Sequence, residues 1–183
     1  MKKIIGTLTL SLVLLAGCAN GPKNEDPSAN NNNRGSQNRS QNQLLVEEPC
    51  QVVTPAEVSE IVGFEVKIDE NINTPNTDRS FGCQYISTST VDNLSFIVTK
   101  QKDADTAEST YDVLIDGILA SGDDELINIS GLGEKANLYP AGRISQLYVL
   151  DGELLFTIGL YDNSNSDHES RLKEFASKLL AAM

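Results

Sequence analysis

The chain has 183 residues, with 14 Lys and Arg against 26 Asp and Glu, a net charge of −12, no Trp, one His and three Cys. That length supports one core of ordinary size rather than two. The acidic balance excludes nucleic acid as a partner, because backbone binding needs clustered Lys and Arg, and one His excludes any mechanism built on two imidazoles.

Lys2 and Lys3 form a short positive start, and residues 4–16 then run without a charge. Thirteen helical residues rise about 20 Å, short of the ~30 Å hydrocarbon core. The segment therefore reads as an export signal rather than a membrane span. It ends Leu15-Ala16-Gly17-Cys18, which resembles the lipobox of bacterial lipoprotein signal peptides. That resemblance implies removal of residues 1–17 and attachment of a diacylglyceryl chain to the Cys18 thiol. Two or three acyl chains, at about 0.8 kcal/mol per buried methylene, would make release negligible. Ala19 follows where the family's inner-membrane retention signal would place Asp, so in a cell with two membranes the outer one is expected.

Residues 19–44 are low in complexity: eight Asn and three Gln, with Leu44 the one bulky apolar residue. Nothing there offsets the entropy of ordering, so this stretch reads as a disordered tether. Its average span would be about 28 Å and its stretched limit about 90 Å. Five of the 14 basic and two of the 26 acidic residues precede residue 45, leaving nine against 24 and a net −15 beyond it. Such a domain is repelled by anionic lipid head groups and kept soluble by its charge.

Residues 45–183 read as the folded domain. Cys50 and Cys83 are its only thiols, and two Cys in an exported chain predict one disulfide closing 33 residues. Thr54-Pro55-Ala56-Glu57 is a capping box with Pro at the first helical position; Val58, Ile61 and Val62 make the apolar stripe and Gly63 stops it. Phe64, Val66 and Ile68 alternate with charged residues and predict a strand. Residues 69–80 read as a loop, and residues 81–87 and 94–100 as an antiparallel pair. Ala107, Tyr111, Leu114, Ile115 and Ile118 predict a helix over residues 104–120. Strands are expected at 126–129, 144–150 and 154–161, the last two joined by Asp151-Gly152. Ser166 with Glu169 predicts the cap of a last helix that turns Leu172, Phe175, Leu179 and Leu180 inward. The expectation is an α+β fold, a mainly antiparallel sheet of about six strands with three helices packed on one face.

Pro49-Cys50, Thr54, Glu57-Val58, Gly63, Cys83-Gln84-Tyr85, Gly131-Leu132-Gly133-Glu134-Lys135-Ala136 and Phe175-Ala176-Ser177-Lys178-Leu179-Leu180 together resemble a family of small bacterial lipoproteins of unknown function. The likeness spans nearly all of residues 49–183, although each motif is short and built of common residues. The overall pattern is also similar to the Mog1/PsbP-type α+β fold. The resemblance implies export, a lipid anchor and a disulfide, and no catalytic residues.

Gly131-Leu132-Gly133-Glu134-Lys135 lacks the spacing of a phosphate loop and reads as a tight turn. Asp123-Asp124-Glu125, and the stretch from Asp162 to Glu169, lack the Gly and bidentate Glu of a calcium loop, so no metal is expected. His168 reads as an exposed helix-start residue, with no catalytic role. Tyr139, Tyr148 and Tyr161 could line a shallow groove, but read first as packing at the core edge. The expectation is a non-enzymatic, lipid-anchored domain on the outer side of the cell or outer membrane. It needs no cofactor and binds an envelope protein. The alternatives are a carrier of a small hydrophobic ligand and, less favoured, a carboxylate-based hydrolase.

Overall fold

In the computed structural model, residues 46–72, 74–121, 126–163 and 167–183 are described. Helix α1 (Pro55–Val62) starts where the local chemistry requires. The Thr54 hydroxyl accepts from the Glu57 amide at 3.4 Å, and the Thr54 amide donates to the Glu57 carboxylate at 2.9 Å. Those Thr54 donors, backed by Lys178, hold the Glu57 carboxyl below its usual range. Gly63 ends the helix at φ 75°, a left-handed conformation that favours glycine.

Strands β1 (Val66–Ile68), β2 (Ser80–Ser87) and β3 (Asn93–Lys100) follow, then helix α2 (Ala104–Ser121). Strands β4 (Ile127–Asn128), β5 (Lys135–Ala141), β6 (Ile144–Asp151) and β7 (Leu154–Tyr161) lead to helix α3 (His168–Ala181). All seven strands join one sheet in the order β1-β2-β3-β7-β6-β5-β4, and every pairing is antiparallel. Two meanders thus lie side by side, with β3 against β7. The chain must leave β3 at mid-sheet and re-enter at the far edge as β4, about 19 Å away at four strand spacings. Helix α2, about 27 Å long, makes that crossing.

The α+β class and the antiparallel sheet are as the sequence predicts, with two differences. The sheet has seven strands rather than six, the added one being β5. The sheet tolerates Pro140 because the short β4 pairs only with Asn137 and Leu138, so Pro140 lies past the reach of that neighbour. Nor do the three helices share one face. On β6, Leu147 and Val149 pack with α1 and α3, whereas Tyr148 and Leu150 point the other way and pack against Ala107 and Tyr111 of α2. The reason is topological: α1 and α3 already fill the first face, so the crossing helix covers the second.

The core lies on the first face. Val58, Ile61 and Val62 of α1 and Leu172, Phe175, Ala176 and Leu179 of α3 sit on Phe81, Tyr85, Phe96 and their neighbours. The rings interlock, with Phe96 and Phe175 centroids 5.7 Å apart and Tyr85 6.5 Å from Phe175. Full burial of a ring such as Phe175 contributes about 2–3 kcal/mol, so packing holds α3 far more than its exposed ion pair from Lys178 to Glu57. Cys50 and Cys83 form the predicted disulfide, Cα atoms 5.2 Å apart. It ties the 3-10 turn before α1 (Pro49–Gln51) to the middle of β2. Beside it the Tyr85 hydroxyl donates to the Val53 carbonyl at 2.5 Å, and its distance to the Cys50 carbonyl is 3.4 Å.

Two local details shift by a residue. Asp151 pairs with Leu154, so the β6–β7 loop is Gly152-Glu153, with Gly152 at φ 56°. Helix α3 is capped by Asp167, whose carboxylate accepts from the Ser170 amide at 3.1 Å; Ser166, the expected cap, lies outside the described residues.

Candidate functional site

The second face carries an open groove beside α2. Asp103 opens α2, its carboxylate accepting from the Thr106 amide at 2.8 Å. The N-terminal half is then fastened down. Ala107 and Tyr111 are buried, and the Tyr111 hydroxyl accepts from the Asn137 side chain at 2.8 Å. Lys135 reaches Glu108 at 2.8 Å and Asp112 at 2.9 Å while lying 6.0 Å from the Tyr111 ring centroid. These two carboxylates hold the Lys135 ammonium well above its ordinary range.

The C-terminal half is not fastened in the same way. Only Ile115 and Ile118 lean on the sheet there, and Val113 and Leu119 are 70% and 52% exposed. A groove of about 400 Å³ opens along it, with Tyr139, Gln146 and Tyr148 on the sheet side and Val113, Leu114, Gly117, Ile118 and Ser121 on the helix side. The Tyr148 hydroxyl donates to Gln146, and Tyr139 and Tyr148 line the sheet side of the groove. A Cβ added at Gly117 would meet nothing within 4 Å. Tyr139 and Tyr148 therefore both pack at the core edge and line a groove. Tyr161 does neither here; its hydroxyl lies 3.4 Å from the Asn163 side chain.

A second, polar recess of about 560 Å³ lies on the first face where α3 begins. His168 is half-buried there rather than exposed, because β6 delivers the buried Ser145 to it: Ser145 Oγ and His168 Nδ1 are 2.8 Å apart. Next to them the buried Asp162 carboxylate accepts from Arg171 at 2.6 Å. A relay for nucleophilic catalysis needs the imidazole between a hydroxyl and a carboxylate. Here the hydroxyl sits on Nδ1, Nε2 is buried without a hydrogen-bond partner among the described residues, and Asp162 is held by Arg171. The cluster fixes the start of α3 to the ends of β6 and β7. Sequence gave no sign of the contact, because Ser145 and His168 lie 23 residues apart on different elements.

Of the other predicted residues, Cys18 lies outside the described residues, and Cys50 and Cys83 are bonded away from both recesses. Asp123, Asp124 and Glu125 also lie outside them, and among the described residues no group of three His, Cys, Asp or Glu could hold a metal. Gly133 explains its own loop: a Cβ there would meet the Leu150 carbonyl at 2.5 Å, so the loop backbone is pressed onto β6 as a tight turn. Glu57, Asp103 and Asp167 are each held below the usual carboxylate range, chiefly by Thr or Ser donors. No known family model and no characterised protein matches this chain.

Proposed function

We propose that the protein is a lipid-anchored lipoprotein of the cell envelope that acts by binding a protein partner, without catalysis. The anchor rests on the Leu15-Ala16-Gly17-Cys18 motif and the Asn-rich tether behind it. Among the described residues no helix is long and apolar enough to cross a membrane. The observation that supports binding is the α2 groove, an open apolar surface beside a helix only half packed down. Contiguous apolar surface of this kind marks interaction sites on soluble domains. A carrier of a hydrophobic ligand calls instead for an enclosed cavity, and the space between the sheet and α1 and α3 is filled by Phe81, Tyr85, Phe96 and Phe175.

The test is made in cells of an exporting bacterium. A photo-crosslinking residue at position 114 should trap a discrete envelope protein, and Gly117→Leu, which fills the groove, should abolish the product. Cys18→Ser should move the protein from membrane to soluble fractions. Membrane retention of the Cys18→Ser protein contradicts the anchor, and absence of any groove-dependent crosslink contradicts the binding role.

A further inference from the structure

We propose that the α2 groove receives a cationic amphipathic segment of a protein partner, about two helical turns long. This rests on the binding role above and names the chemistry of the occupant.

Three observations carry it. The groove is apolar and open, and its length along residues 113–121 is about 12 Å, room for two turns of a docked helix or an equivalent extended stretch. Gly117 is the second. Glycine inside a helix is unfavourable by about 1 kcal/mol relative to Ala, and this one has nothing within 4 Å of its missing side chain. It borders the groove, and a side chain added there would enter open space.

The third is charge. Asp105, Glu108, Asp112 and Asp116 recur at three- and four-residue spacing and form one row along α2, which carries no basic residue. The row follows the other flank of the helix and meets the groove at Val113, which borders both. Lys135 engages Glu108 and Asp112 and so offsets one charge of the four. An occupant seated in the groove can lay its apolar face on Tyr139, Tyr148 and Leu114. Its Lys or Arg stems then pass over Val113 to the acidic row, burying methylenes as they go. A second copy would bring a row of the same sign against this one, and an anionic lipid surface would be repelled by it. A cationic protein segment is the occupant that satisfies both halves of the site.

The probe is a pair of synthetic peptides of about four turns, one with Leu on one helical face and Lys on the other, and its Leu/Glu counterpart. Binding to the exported chain carrying Cys18→Ser is measured by calorimetry at about 0.05 M and about 0.3 M salt. The Leu/Lys peptide should bind at least about tenfold more tightly than Leu/Glu, and more weakly at the higher salt. Gly117→Leu should weaken it by about tenfold or more, whereas Gly117→Ala, which leaves most of the space, should retain it. Asp105→Asn with Asp116→Asn, both on the exposed surface, should weaken binding and flatten its salt dependence. No binding, equal affinity for the two peptides, or full affinity in Gly117→Leu would overturn the proposal. So would a dimer, seen by sedimentation, that Gly117→Leu disrupts. If the peptides fail while the groove-dependent crosslink at position 114 persists, the cationic chemistry falls and the binding role stands.

Discussion

Tyr85 shows how much one polar atom can hold. Its ring is fully buried among Phe96 and Phe175, and its hydroxyl satisfies the carbonyl of the buried Val53. Tyr85→Phe keeps the ring but strands that carbonyl, at a cost of about 1–3 kcal/mol. Thermal unfolding should show a Tm lower by several degrees; an unchanged Tm would mean the bond contributes nothing. Burial, and then the Glu57 charge, push the Tyr85 hydroxyl above its ordinary pKa of 10.0. The folded state therefore holds this proton more tightly than the unfolded state. Its contribution is complete below about pH 10 and is lost as pH rises beyond it. Urea unfolding from neutral to strongly alkaline pH should thus show a shallower alkaline decline in Tyr85→Phe than in the natural chain. Tyr111 and Tyr148, raised by burial too, should keep some decline in both.

At the scale of elements, the two faces of the sheet differ in how firmly their helices are held. α3 buries Leu172, Phe175, Ala176 and Leu179, while α2 buries only Ala107 and Tyr111. Hydrogen exchange should find α2 amides, those after Tyr111 above all, exchanging well before those in the middle of α3. Equal protection would contradict the loose attachment on which the groove depends. The disulfide secures the other end of the core. Replacing Cys50 and Cys83 by Ala should cost roughly 3–4 kcal/mol in urea unfolding, from the freed 33-residue loop; a change within error would show that the Tyr85 bonds and packing suffice. What sequence could reveal about these elements follows from the range of the forces. The α1 cap is visible because Thr54, Pro55 and Glu57 act on one another within one turn. The stripe of α2 is visible as a period, but a period names the buried side of a helix and not the face of the sheet that it covers. That choice depends on the crossing from β3 to β4. The turn at residues 131–135 is visible locally, whereas the extent of β5 is set by its pairing with β6, which local spacing does not carry.

For the whole molecule, the candidate site was legible only in part. Tyr139, Tyr148 and Tyr161 fall on or near the late strands and so could be named together, and the groove takes the first two; Gly117 and the acidic row gain meaning only once α2 is placed beside them. The half-buried His168 was missed because its environment comes from β6 and not from its own helix. In the proposed role, residues 1–18 would direct export and anchoring, and residues 19–44 would set the reach of an acidic domain that anionic lipid repels. That account depends first on Cys18. Its most direct test is the intact mass of the protein extracted from bacterial membranes. The account predicts a chain beginning at Cys18, heavier by at least a diacylglyceryl group and lighter by two hydrogens for the Cys50–Cys83 bond. A mass that retains residues 1–17, or that shows Cys18 unmodified, would contradict it.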